Sequence, residues 1–170
     1  DVLKTVLKAG ADRVILCDTN GGTFSHECQN IIQELQKSSF PLSKFGFHGH
    51  NDGGMALSNS ITAVRSGFGH IQGTINGIGE RCGNTDLVSV ISNLQLKMKV
   101  HCIPPDKVNR LFSTSKKVWE LTHGEGPQNQ PFVGENSFAH KGGIHVSALQ
   151  KSPEFYEHIR PESIGNKRHI

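Results

Sequence analysis

Two histidines separated by a single residue lie in the segment GFHGHND, residues 46–52. The surrounding run KFGFHGH, residues 44–50, predicts a β-strand, on which the side chains of residues i and i+2 point to the same face. His48 and His50 would then present two imidazoles about 6–7 Å apart at their Cα atoms. This spacing suits one bound metal ion. The alternative is a pair of polar side chains that are solvated or bonded to backbone at the end of a strand.

A glycine-rich loop, NGIGERCGN at residues 76–84, follows a later predicted strand. It partly matches the dinucleotide fingerprint G-x-G-x-x-G, but Cys82 occupies the third glycine position and no acidic residue is suitably placed to bind a ribose. Two alternatives remain open. The glycines could serve a turn that needs positive φ, or the loop could bring Glu80, Arg81 and Asn84 to the same place as the histidines.

The segment CDTNGG, residues 17–22, ends the first predicted strand with an acid, a hydroxyl and an amide. One interpretation is an Asx turn followed by a helix cap. The other is a corner that binds substrate, in which the Thr19 hydroxyl donates to a carboxylate.

The elements that must position these residues alternate between strands and helices. Apolar runs and helical periodicity predict, in chain order, a strand at 13–17, a helix at about 26–37, a strand at 44–50, a helix at 55–66, a strand at 70–76 and a helix after Asp86. Ser25 is predicted to cap the first of these helices and Asp86 the last. Such alternation predicts parallel strands covered by helices, as in doubly wound sheets and (β/α)₈ barrels.

Composition and charge exclude several other classes of function. The 170 residues carry a net charge of +3, with no basic run interleaved with aromatics, so nucleic-acid binding is not expected. No apolar run is long enough to cross a membrane. The four cysteines form no CxxC pair, so we expect reduced thiols in a cytoplasmic protein: they are Cys17, Cys28, Cys82 and Cys102.

Three motifs together, HGHNDGGMA, NGIGERCGNTDL and FAHKGGIH, make the chain resemble the family of 2-isopropylmalate, homocitrate and citramalate synthases, and most of all its citramalate synthase branch. The resemblance implies an α/β fold, the C-terminal part of a (β/α)₈ TIM barrel with about three βα units. It places a partial barrel catalytic domain at 1–100, a helix and linker at 101–137, and the start of a small helical post-barrel subdomain at 138–170.

The same resemblance implies which residues bind the metal and the substrate. His48 and His50 match two metal-binding histidines, and Asn84 matches a further metal ligand. Thr19 matches a threonine that contacts the carboxylate of a 2-oxo acid. The expected metal is divalent, Mg²⁺, Mn²⁺ or Zn²⁺, and the sequence does not choose among them.

Three further residues are implied to be catalytic. His145 matches a histidine beyond the barrel that helps to deprotonate an acetyl group, and Tyr156 matches a tyrosine near it. Glu80 matches an acid of the loop with a supporting role. In relatives the histidine and the tyrosine reach the active site of the partner subunit, so the resemblance also implies a homodimer.

The implied activity is acyl transfer: acetyl-CoA, the co-substrate, condenses with a 2-oxo acid in a metal-assisted Claisen-type reaction. Pyruvate giving citramalate in isoleucine biosynthesis is the leading hypothesis. The alternatives are 2-isopropylmalate synthase in leucine biosynthesis, a metal-dependent aldolase or lyase on the same barrel, and an inactive fragment. The family's first strand supplies an arginine and an aspartate, and no matching segment occurs here. We therefore expect that the chain alone is incomplete and not catalytic.

Overall fold

The computed structural model describes residues 2–140, 142–143, 149, 152 and 156–169, which divide into two compact units, 1–90 and 91–170. The first unit is built on a three-stranded parallel sheet in the order β1-β2-β3. Its strands are β1 (Val14–Asp18), β2 (Phe45–Gly49) and β3 (His70–Gln72).

The helices of the first unit alternate with these strands, as the sequence predicts. They are α1 (Val2–Lys8), α2 (Ser25–Lys37), α3 (Ala56–Arg65) and α4 (Leu87–Ser92), which runs into the second unit, with short 3₁₀ turns at Leu42–Lys44 and Ile75–Gly77. Because the strands are parallel and joined through helices, the loops that follow them emerge at one edge of the sheet.

One face of the sheet forms the core of this unit. Phe45 and Phe47 are 0% and 4% exposed, and they pack with α2 and α3. Ala63 on α3 is fully buried, so this small side chain lets the helix approach the cluster closely. The buried cluster also contains Cys28, Ile32, Leu35 and Phe68. Since side chains alternate along β2, burial of the two phenylalanines turns His48 to the opposite face.

Several predicted details are wrong at the ends of the elements. Ser25 is not the N-cap of α2 but its first residue: its hydroxyl lies 2.7 Å from that of Ser58, and Glu27 accepts the backbone N–H of Phe24 instead. Ile31 on α2 is apolar but 51% exposed, so it lies outside the buried face of the helix.

The third strand and the last helix also differ from prediction. The strand stops at Gln72 rather than residue 76, and a 3₁₀ turn with Asn76 at φ 66° follows it. The helix after Asp86 is α-helical only to Ser92 and continues as a π-helical turn, Asn93–Lys97. Asp86 does cap it, accepting the Val88 N–H at 2.9 Å.

The second unit contains α5 (Leu111–Thr122) and two 3₁₀ helices, Pro105–Arg110 and Pro161–Ile164. The segment predicted as an irregular linker packs tightly at Phe132 and Val133, which are 4% and 7% exposed. The Trp119 indole N–H donates to Gln130 at 2.7 Å and ties α5 to this segment. No helix in the described part of the chain is long and apolar enough to cross a membrane.

Candidate functional site

His48 and His50 lie side by side at the carboxyl end of β2. Their ring centroids are 5.4 Å apart at an interplanar angle of 74°, so the predicted closeness of the two imidazoles is confirmed. Both side chains are half-buried. The Nδ1 atom of His50 is buried and has no hydrogen-bond partner among the residues that the structure describes. A buried imidazole nitrogen without a partner is costly, and a bound cation would be one way to satisfy it.

Asn84 lies beside His50 because the loop after β3 returns to the end of β2. The two residues form an isolated antiparallel bridge, flanked by hydrogen bonds from Asn51 N–H to Gly83 O and from Thr85 N–H to Gly49 O, both 2.9 Å. The Asn84 amide nitrogen donates to the carbonyl of Ile78 at 3.1 Å. Its side-chain oxygen is thereby left for another partner.

The glycines of this loop are required by its shape. Gly77 and Gly83 have φ values of +68° and +87°, and a Cβ at Gly83 would lie 2.0 Å from the carbonyl oxygen of Gly77. A Cβ at Gly79 would lie 2.0 Å from the amide nitrogen of Asn84. The interpretation as a turn that needs positive φ is therefore confirmed, and the same turn delivers Asn84 to His50.

The corner after β1 forms the predicted Asx turn. Asn20 Oδ1 accepts the Gly22 N–H at 2.9 Å, and Asp18 Oδ2 accepts the Thr23 N–H at 3.2 Å. Thr19 is exposed. It lines an open pocket whose walls are Cys17, Asp18, Thr19, Asn20, Thr23 and Arg81.

Arg81 joins this corner to the loop after β2, a contact that the motif analysis did not assign. Its Nε and Nη2 atoms donate to the two carboxylate oxygens of Asp52 at 2.8 and 3.0 Å, and Nη2 also donates to the Thr19 carbonyl at 2.7 Å. The guanidinium lowers the pKa of Asp52, and the carboxylate raises that of Arg81. The glycine-rich spacing predicts a loop that reaches the neighbouring strand, but it does not indicate that Arg81 pairs with Asp52.

Glu80 stands at the edge of the same group. Its side chain is 79% exposed, and its Oε2 atom lies 3.8 Å from Arg81 Nη1. Within the described residues, no three His, Cys, Asp or Glu side chains converge as a metal-binding group. The two imidazoles and the amide are the candidate donors that the sequence predicts and that the structure describes.

The two catalytic residues predicted beyond the barrel belong to the second unit. His145 lies outside the described residues. Tyr156 is 42% exposed and directly precedes Glu157, whose side chain is only 3% exposed. Arg168 donates to both oxygens of Glu157, at 2.6 and 2.5 Å, and lowers the pKa of that carboxyl.

His140 is the third member of this buried group. Its Nε2 atom lies 3.4 Å from Glu157 Oε1. The backbone beside Arg168 is held in place as well, because the next residue, His169, forms a parallel bridge with Ala139. The backbone next to Tyr156 is therefore anchored by a buried carboxylate.

Two family models match the sequence. The model described as HMGL-like covers residues 1–118, and the one described as homocitrate synthase post-HMGL domain-like covers residues 132–170. The predicted resemblance is confirmed at this level.

Among curated relatives, the chain is similar to (R)-citramalate synthases. It is 49% identical over 169 residues to that of Aquifex aeolicus and 47% identical over 174 residues to that of Synechocystis, covering 99% of this chain in each case. It is also 40% identical over 171 residues to a probable 2-isopropylmalate synthase of Methanopyrus kandleri. The chain spans about a third of the length of these relatives, 32%, 32% and 33% respectively.

Solved structures agree on the fold. An HMG-CoA lyase of Bacillus subtilis aligns with a TM-score of 0.62 at 23% identity, over 71% of this chain and 41% of that one. The N-terminal domain of a putative aldolase from Bacteroides vulgatus aligns with a TM-score of 0.57 at 27% identity, over 79% and 44%. The predicted α/β fold, part of a TIM barrel followed by a helical segment, is confirmed. Because the HMGL-like model matches well over half of its residues, this chain belongs to the HMGL-like family.

Proposed function

We propose that the protein condenses acetyl-CoA with a 2-oxo acid, and that the 2-oxo acid is pyruvate, giving citramalate for isoleucine biosynthesis. The balanced reaction consumes acetyl-CoA, pyruvate and water, and it yields citramalate and free CoA. The support from relatives is the 49% identity to (R)-citramalate synthases over nearly the whole chain.

The observation that carries the proposal is the position of three donors at one edge of the sheet. His48 and His50 present adjacent imidazoles, and Asn84 is paired with His50. Two imidazoles and an amide oxygen suit Mg²⁺, Mn²⁺ or Zn²⁺. The buried Nδ1 of His50, which has no hydrogen-bond partner among the described residues, is consistent with a cation-binding site. These three residues would hold the divalent metal. When bound, the metal would act as a Lewis acid that polarises the keto group and neutralises the developing alkoxide charge.

The chain's other residues would bind substrate and move the proton. The Thr19 hydroxyl, exposed in the open pocket, would donate to the carboxylate of the 2-oxo acid. His145 would take a proton from the methyl group of acetyl-CoA, so that the carbon can attack the ketone. Tyr156 would assist near this base, and Glu80 would have a supporting role at the rim. As in the family, His145 and Tyr156 would serve the partner subunit of a cytoplasmic homodimer.

A product assay with two substrates tests the proposal. The protein, expressed as its gene encodes it, is incubated with acetyl-CoA and pyruvate, and mass spectrometry follows citramalate and free CoA in equal amounts. Chelation should abolish both products, and added Mg²⁺, Mn²⁺ or Zn²⁺ should restore them. Cleavage of a 3-hydroxyacyl-CoA to acetyl-CoA and an oxo acid, without condensation, would instead indicate a lyase.

The second candidate is 2-isopropylmalate synthase, favoured by the similarity to the Methanopyrus kandleri relative. The two activities differ in the side chain of the 2-oxo acid. A kcat/KM at least tenfold higher for a branched five-carbon 2-oxo acid than for pyruvate would decide for this candidate. The opposite ratio would decide for citramalate synthase.

A further inference from the structure

We propose that Arg81 is a positioning residue that holds the loops after β1 and β2 in register, so that Thr19 and His50 face one substrate. This inference deepens the proposed function, since it concerns the same site. Arg81 would order the two loops whether or not the protein catalyses the proposed reaction.

The geometry of the guanidinium supports this role. Arg81 lies on the loop after β3, while its acceptors lie on the two other loops: Asp52 follows β2, and the Thr19 carbonyl follows β1. Two nitrogen atoms of Arg81 donate to the two carboxylate oxygens of Asp52, at 2.8 and 3.0 Å, which is the bidentate form of such a pair. One side chain thus connects all three loops at this edge of the sheet.

Arg81 with its hydrogen bonds to Asp52 and Thr19 is called the clamp below. The two loops that it joins also contact each other directly. The Gly53 N–H donates to the Gly21 carbonyl at 2.8 Å, and His50 N–H donates to Asp18 O at 3.2 Å. A Cβ on Gly21 would lie 2.6 Å from Asp52 Oδ2. This close approach leaves no room for a side chain between the loops, so Arg81 holds them where they already touch.

The backbone of Arg81 indicates that its position is specified by the surroundings. Its φ is +56°, a value that non-glycine residues adopt rarely. Such a conformation persists only where contacts around it determine it. Arginine is also better suited than lysine, since a planar fork is needed to reach two carboxylate oxygens and a carbonyl together.

Hydrogen exchange tests the clamp without any metal or substrate. In Arg81→Met, amides of residues 18–24 and 50–54 should lose protection together, while the amides of β2 keep theirs. Arg65→Met, which changes an exposed arginine at the end of α3, is the matched control and should leave both loops as they are. Unchanged protection of the two loops in Arg81→Met would overturn the proposal.

Metal binding and kinetics test the consequence for the site. Arg81→Met should raise the Kd for Mn²⁺ by about 10–100-fold, as changes at other supporting residues of metal sites do. Calorimetry on the folded protein measures this Kd. KM for the 2-oxo acid should rise more than kcat falls, because Thr19 is displaced but the proton transfer is not. Arg81→Lys should recover only part of the Mn²⁺ affinity, and full recovery would show that charge alone, not the fork, matters.

A double-mutant cycle separates the clamp from a general loss of stability. Asp52→Asn removes the same bidentate pair from the other side, so its effect on Mn²⁺ affinity and that of Arg81→Met should be clearly less than additive. Additive effects would contradict the inference. If the unaltered protein bound no Mn²⁺, the proposed function would fail, but hydrogen exchange would still decide the role of Arg81.

Discussion

His50 and Asn84 face each other across an isolated antiparallel bridge, although they belong to loops that follow different strands. The bridge exists because the chain after β3 turns back over the end of β2. The turn contains Gly77, Gly79 and Gly83, at each of which a Cβ would lie too close to neighbouring atoms. The ring centroids of His48 and His50 are 5.4 Å apart. Of the three proposed metal donors, His50 is therefore the one adjacent to both others.

This central position predicts that His50→Ala is more damaging than Asn84→Ala. Loss of the imidazole removes a strong donor, whereas loss of the amide removes a weaker one. We expect the Kd for Mn²⁺ to rise by more than about 100-fold in His50→Ala, beyond the range of supporting residues, and by less in Asn84→Ala. Calorimetry at pH 7.5 measures both, and His26→Ala, at an exposed position on α2, is the control. Equal affinity in His50→Ala and the unaltered protein would remove His50 from the site.

Gly79→Ala should disturb Asn84 without touching any donor atom. The added methyl would lie 2.0 Å from the Asn84 amide nitrogen and 2.9 Å from its Cγ, so the side chain must move and lose its bond to Ile78. We expect Mn²⁺ affinity to fall while the circular dichroism spectrum is retained. In Gly143→Ala the methyl meets nothing within 4 Å in the described part of the chain, so this variant should keep the Mn²⁺ affinity of the unaltered protein. A Gly79→Ala protein with full affinity would mean that the Asn84 amide is not a ligand.

The pair formed by Glu157 and Arg168 predicts a pH-dependent stability. The carboxyl is buried and has a lowered pKa, so its contribution is fully present above its ordinary pKa of about 4.3 and is lost as the pH falls through the lowered value. Arg168→Met leaves the carboxylate buried without its main partner, which should cost about 3 kcal/mol at pH 7, the lower end for a buried pair because Arg168 is partly exposed.

Urea unfolding at pH 7 and at pH 3.5 measures this effect. The difference between Arg168→Met and the unaltered protein should shrink at the lower pH, because Glu157 of the unfolded chain takes up a proton below about pH 4.3 whereas the lowered pKa in the folded protein opposes that uptake. Lys37→Met is the control: it breaks a pair with Glu34 whose side chains are both 70% exposed, and it should change stability by no more than about 0.5 kcal/mol. A difference that stays constant with pH would show that Arg168 acts through packing rather than charge.

The order of strands and helices could be predicted because it follows from the spacing of apolar residues within each short segment. Alternation along the strand predicted that His48 and His50 share one face, and the structure places the two imidazoles side by side while Phe45 and Phe47 are buried in the core. The glycines of residues 77–83 could be foreseen as a turn that needs positive φ. The predicted N-cap at Ser25 was wrong because of a contact distant in sequence. The Ser25 hydroxyl bonds to the Ser58 hydroxyl instead of accepting a backbone N–H.

The contacts that connect separate loops could not be predicted from the pattern. The fork from Arg81 to Asp52 depends on a non-glycine residue at φ +56°, and no propensity indicates such a conformation. The burial of Glu157 beside Arg168 has the same cause, since each residue alone is typical of an exposed position. Both pairs follow from tertiary packing, which places groups together that are distant in sequence.

The last prediction concerns His145, which we propose to be the base that acts on acetyl-CoA. In the protein as its gene encodes it, His145→Ala should lower kcat by about 10²–10⁴-fold, the usual contribution of a general base. The Kd for the 2-oxo acid should change little, because Thr19 and the metal donors stay in place. His101→Ala, at an exposed position in the same unit, is the control. Pre-steady-state mixing with deuterated acetyl-CoA sharpens the test, since slower deprotonation should increase the isotope effect on citramalate formation. An unchanged rate in His145→Ala would assign the proton transfer to another residue, and Tyr156→Phe would then be the variant to measure.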